Sequence, residues 1–159
     1  MQVSKKIPLR LGVGIIVLNN KNKIFVGKRI DNQVGNHWQM PQGGVDEGEN
    51  LLQAAKRELE EETGIKKVEI IKEIDGWFIY YLPKYLLGKV WKGKYGGQKQ
   101  RWFITKFIGS NQEINIKTKR PEFIEWKWIE IKDLNKVAVD FKIDIYNKLK
   151  EELISLNLN

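Results

Sequence analysis

Three carboxylates, Glu58, Glu61 and Glu62, stand at i, i+3 and i+4, a spacing that an α-helix gathers on one side within a single turn. Like charges so placed repel, and the cluster costs stability unless a cation occupies it. Oxygen donors with room left for water suit a hard ion such as Mg²⁺ or Mn²⁺. The same residues also suit an ordinary solvated face, on which Lys56 and Arg57 neutralise part of the charge and Arg57 and Glu61 form a favourable i, i+4 pair. Residues 43–65 hold seven of the 20 acids and two bases, a local charge of −5 that leaves +13 on the other 136 residues of a +8 chain. A basic body around one acidic patch suits a polyanion whose charge is met through a bound cation, and equally an acidic helix that is merely hydrated.

The elements that must position these acids follow from hydrophobic spacing. Leu52, Ala55 and Leu59 recur at i, i+3 and i+7, which predicts a helix from Asn50 that Gly64 ends. Before it, residues 31–49 are rich in Gly and polar side chains and contain Pro41, so a loop is expected there. Leu11–Asn19 and Lys23–Lys28 read as strands joined by a polar turn, and Val68–Ile74, Trp77–Leu82, Arg101–Ile108 and Phe123–Ile129 as further strands. Phe141, Ile145, Leu149 and Leu153 step by four, predicting a second amphipathic helix over Val139–Ile154. Hairpins interleaved with helices imply an α+β architecture, a mixed sheet covered by helices.

A chain of 159 residues with 42% hydrophobic composition fits a single domain over 1–159. It has no cysteine, which removes disulfides, thiolate catalysis and Cys-ligated metals, and a cytoplasmic location is expected. The longest apolar run, Leu11–Leu18, contains Gly12 and Gly14 and is too short to span a bilayer. Basic residues within Met1–Lys6 mimic the start of a signal peptide, but no small-residue cleavage site follows. Neither a membrane nor secretion is expected, and a monomer is.

The spacing of the whole acidic segment decides between the two views of the Glu cluster. Gly43, five residues, Glu49, seven residues, then Arg57-Glu58-Leu59-Glu60-Glu61-Glu62-Thr63-Gly64-Ile65 resembles the Nudix box at every defined position over 23 residues. Its physical sense is that Gly43 and Gly44 permit a tight loop whose backbone approaches an ion or phosphate, while the helix delivers carboxylates to the same place. The resemblance implies the Nudix fold, an α/β/α sandwich. It also implies that Glu58, Glu61 and Glu62 ligate metal beside Gly43, that Arg57 orients a carboxylate, and that Glu49 fixes the loop to the helix.

Further blocks carry a narrower resemblance: Trp38 to Gly44, Tyr81 to Lys84, Gly97 to Phe103, Pro121 to Phe123, and Trp126 to Trp128. They are similar to the bacterial RNA pyrophosphohydrolases and to the related dinucleoside polyphosphate hydrolases, over about Arg10 to Lys150. That likeness implies that Glu122 joins the centre as ligand or base and that Arg10 and Arg29 meet the 5′ phosphates, although Leu11 stands where the family often has proline. Gln98, Lys99, Arg101 and Tyr81 are also expected at the substrate. Gln98 and Gln100 share one strand face and Lys99 and Arg101 the other, which an ordinary charged edge would equally explain. Trp77, Tyr80, Tyr81, Tyr85, Trp91 and Tyr95, interleaved with Lys84, Lys89, Lys92 and Lys94, suit either a core or a surface where bases stack. His37 is expected beside the site without a catalytic role.

The expected reaction is Mg²⁺-dependent hydrolysis of 5′-triphosphorylated RNA to 5′-monophosphorylated RNA and pyrophosphate, a step that would initiate mRNA decay. Glu61 or Glu122 would take the proton from water. The alternatives are asymmetric hydrolysis of a dinucleoside tetraphosphate and a noncatalytic nucleotide- or RNA-binding module.

Overall fold

The first long strand, β1 (Leu9–Leu18), is buried from Gly12 onward, which is why its sequence runs apolar without polar alternation. Val13, Ile15 and Val17 enter one hydrophobic core, and Ile16 and Leu18 the other. In the computed structural model, which describes residues 7–31 and 36–158, β1 lies parallel to β6 (Gly97–Phe107), in register from Leu9 opposite Gly97 to Leu18 opposite Lys106. The basic N-terminal residues 1–6 and residues 32–35 of the expected loop lie outside the described residues.

Around this central pair the sheet runs β4 (Val68–Glu73), β6, β1, β2 (Ile24–Arg29), β7 (Phe123–Ile129). Strand β5 (Phe78–Tyr81) shares the outer edge of β6 with β4, and β3 (Gln42–Gly44) pairs with β1; every pairing except β1 with β6 is antiparallel. Helix α1 (Leu51–Thr63) packs Ala54, Ala55 and Leu59 against one face, and α3 (Ile143–Ser155) packs Ile145, Tyr146, Leu149 and Leu153 against the other. The result is the expected α+β arrangement, a mixed sheet between helices.

Local chemistry sets the limits of α1. The Asn50 side chain accepts from Gln53 N at 2.8 Å while the Gln53 side chain accepts from Asn50 N at 3.0 Å, a reciprocal cap. At the other end Gly64 takes φ 76°, a left-handed value that ends the helix, and its N–H donates to Glu60 O at 2.9 Å.

Two expectations need correction. The segment expected to be loop contains β3, because Gln42, Gly43 and Gly44 pair through backbone with Gly14, Val13 and Gly12, and glycines give no side-chain signal of a strand. The C-terminal helix does not begin at Val139. A 3₁₀ turn, Asp140–Lys142, precedes α3, a short α2 (Leu134–Val137) comes before that, and Phe141 packs on Tyr80 with ring centroids 5.7 Å apart.

A buried bond ties α3 to the segment before β3: Tyr146 Oη accepts from Met40 N at 2.8 Å. Replacing Tyr146 with Phe leaves that N–H unsatisfied, so chemical denaturation should report a loss of about 1–3 kcal/mol. An unchanged midpoint would mean the bond contributes nothing.

Candidate active site

Arg57 organises the acids. Its Nε and Nη2 donate to the two oxygens of Glu49 at 2.8 and 3.0 Å, Nη2 also donates to Gly44 O at 2.9 Å, and Nη1 reaches Glu58 at 2.9 Å and Glu61 at 3.2 Å. Glu49 in turn accepts from Asp46 N at 2.9 Å. One guanidinium therefore joins the loop after β3 to the helix that carries the carboxylates. Only a planar cation with several fixed donors makes all of these bonds at once.

Glu62 is buried and accepts from Gln42 N at 3.3 Å, and its carboxyl lies within hydrogen-bonding reach of Glu58. Burial pushes both carboxyls above the usual range, and for Glu62 the neighbouring charges of Glu58 and Glu122 add to the effect. At Gly43 a Cβ would fall directly on the Glu58 carboxylate, so this carboxylate sits against bare backbone. Glu61 is more open, with 58% of its side chain exposed.

Opposite the helix, Glu122 closes the site at the head of β7. Its carbonyl accepts from Ile30 N at 2.9 Å, and its carboxylate lies 3.9 Å from Arg29. Arg29 also grips Asp31 with two bonds of 2.8 and 2.7 Å. These groups line one cleft of about 970 Å³ together with Arg10, Gly43, Gly44, Tyr80, Trp91 and Lys142. Among the described residues no three acids or histidines converge on one point as a closed metal cage. The acids share a cleft, with Glu61 turned to Arg57 and Glu122 facing Arg29.

The fold treats the other expected residues differently. Gln98 and Gln100 are buried beneath the cleft: Gln100 Nε2 donates to Gln98 Oε1 at 2.7 Å and to Gln42 Oε1 at 3.1 Å, so they brace β3 from below. Lys99 and Arg101 take the opposite face of β6, where both lie over Trp77, at 4.8 and 5.1 Å, and Arg101 pairs with Glu73 at 3.1 Å. They do not line the cleft. Tyr81 does not line it either, whereas Tyr80 and His37 do.

Lys142 was missed. It is buried, donates from Nζ to Gln39 Oε1 at 3.3 Å, and is pushed down to about 7, first by burial and then by Arg29. A lysine in an amphipathic stretch normally reads as solvated. Nothing in the spacing marked this one as inward-facing.

Comparison with known proteins bears directly on this constellation. The NUDIX domain model matches residues 8–149. The chain belongs to the Nudix family. It is 63% identical over 147 residues, 92% of each chain, to a protein of Pelagibacter ubique named RNA pyrophosphohydrolase. A protein of the same name from Rickettsia bellii is 47% identical, with 98% of each chain covered. Among solved structures, Escherichia coli dihydroneopterin triphosphate pyrophosphohydrolase shares the fold at TM-score 0.70 and 18% identity, covering 91% of this chain and 99% of its own. A Caenorhabditis elegans Ap4A hydrolase does so at 0.63 and 21%, covering 91% and 98%.

Nudix hydrolases generally use divalent cations, and the donor set of this Nudix domain fits one. It offers oxygen atoms alone, two of its carboxyls are crowded together out of water, and the bare backbone at Gly43 lets the Glu58 carboxylate lie against it. Replacing Gly43 with Ala should therefore weaken calorimetric uptake of Mn²⁺ at least about tenfold while the circular dichroism stays that of the parent. Undiminished uptake would show that the close approach of Glu58 does not matter.

Proposed function

We propose that this Nudix domain hydrolyses the 5′-triphosphate of RNA, using Mg²⁺, to leave a 5′-monophosphate and release pyrophosphate. The observation that carries the reading is the juxtaposition in one cleft of acids suited to a cation with guanidinium groups suited to phosphate, Arg10 and Arg29 facing Glu58, Glu61, Glu62 and Glu122. The names of the relatives, whose likeness extends over nearly the whole chain, support the choice of RNA. One chain supplies every group named, so a monomer suffices. The lack of cysteine fits the cytoplasm, and no helix among the described residues is long and apolar enough to cross a membrane.

Glu58, Glu62, Glu61 and Glu122, with the Gly43 backbone, would hold the cation. When bound it would polarise a phosphoryl oxygen and lower the pKa of water. The chain's own residues do the rest. Arg10 and Arg29 fix the phosphates by charge-assisted hydrogen bonds, so that the bridge between the α and β phosphorus atoms is presented to water. Water oxygen bonds to the α phosphorus, the bridging oxygen leaves with pyrophosphate, and a carboxylate takes the proton. Glu61 suits that step because its side chain is the more open to solvent. Arg57, bonded to Glu49, Glu58 and Glu61, keeps the helix and loop from drifting apart as charge moves.

Triphosphorylated RNA and diadenosine tetraphosphate should be supplied separately with Mg²⁺. Faster release of pyrophosphate from the RNA is expected, whereas faster cleavage of the dinucleotide would replace this reading by the second one. Turnover of neither would leave a binding module. Glu61→Gln should lower kcat by at least about a hundredfold with KM changed far less. Near-normal turnover in that variant would remove Glu61 from the proton step.

A further inference from the structure

Arg10 is held differently from Arg29, Arg57 and Arg101. Arg29, Arg57 and Arg101 are each bonded to a carboxylate. Arg10 is half-buried and meets no acid among the described residues; its guanidinium carbon instead lies 5.3 Å from the centroid of the Trp91 ring. It also crowds Gly44, where a Cβ would fall upon its Nη2. Trp91 is steadied in turn by an edge contact with Tyr95, at 6.1 Å and 77°. The backbone supplies an independent sign. Trp91 and the next residue, Lys92, have φ values of 53° and 56°, a region that side chains other than glycine rarely adopt, and two in succession persist only where the surroundings hold them.

We propose that Trp91 is a positioning residue, whose indole holds the Arg10 guanidinium at the wall of the cleft while leaving its N–H donors to the phosphates of the substrate. The proposal rests on the function given above. A carboxylate would fix Arg10 equally well, but it would take up those donors and neutralise the charge. An aromatic face attracts the cation through the ring quadrupole and does neither. Trp91, at this unusual stretch of backbone, lies with its ring against Arg10 of β1.

The test compares Trp91→Ala, Trp91→Phe and Trp91→Leu on a 5′-triphosphorylated oligonucleotide. Trp91→Ala should raise KM about five- to tenfold with kcat within about twofold, Trp91→Phe should recover most of the loss, and Trp91→Leu should not, since bulk alone does not attract a cation. In an Arg10→Ala background, Trp91→Ala should add nothing further. Recovery by leucine equal to that by phenylalanine, or losses that multiply in the double variant, would overturn the proposal by showing that the ring only fills space. If Trp91→Ala does not fold, the phenylalanine and leucine variants still give the decision. Calorimetry with inorganic tripolyphosphate separates this proposal from the choice of substrate. Affinity that depends on an aromatic ring at 91 without any turnover of RNA keeps the proposal and removes the RNA reading, and affinity indifferent to residue 91 removes the proposal.

Discussion

Mutual repulsion among carboxylates confined to one helical turn is the constraint around which the rest of the molecule is arranged. Glu58 and Glu62 are brought within hydrogen-bonding reach and largely out of water, an arrangement that raises their pKa values and is unfavourable for two charges. The fold tolerates it because Arg57 is anchored on Glu49 and Gly44 O before it touches Glu58 and Glu61. The anchor, not the helix alone, fixes the spacing of the acids. A cation entering the cleft would reverse the balance, since the charges that repel one another would then each attract it.

The same economy extends beneath the site. Gln100 of β6 holds β3, with Trp102 Nε1 donating to Gln100 Oε1 at 3.0 Å and Gln100 passing the connection to Gln42. Gln98 Oε1 and the amide of Gln100 find partners in this network, while Gln98 Nε2 is buried without one. Bare backbone at Gly43 and Gly44 lets Glu58 approach from one side and Arg10 from the other. A floor of central strands and the glycines of β3, which carry no side chains, thus give the acids a defined opposite wall.

The acidic helix and its terminal glycine were legible in the sequence, because an i, i+3, i+4 spacing and a glycine stop have local meanings that tertiary structure did not override. Alternation along residues 98–101 was legible too, yet which face would meet the cleft depends on the parallel pairing of β6 with β1, and no local pattern carries that. This is why Gln98 and Gln100 ended beneath the site and Lys99 and Arg101 over Trp77. Strand β3 was hidden by its glycines. Lys142 was hidden by its charge, since a lysine is expected in water until something forces it inward. Arg10 was expected from resemblance, but its aromatic support lies 81 positions away along the chain and had no signature of its own.

The parallel partnership of β1 and β6 has a consequence for how the protein comes into being. Strand β1 is synthesised some 90 residues before its eleven-residue partner. A nascent chain emerging from the ribosome would present the acidic helix and the first hairpin well before the floor beneath them exists. Apolar residues of β1 would stay open to water, or to a chaperone, until β6 has emerged. Competence would then wait until β6 closes over a strand made long before it.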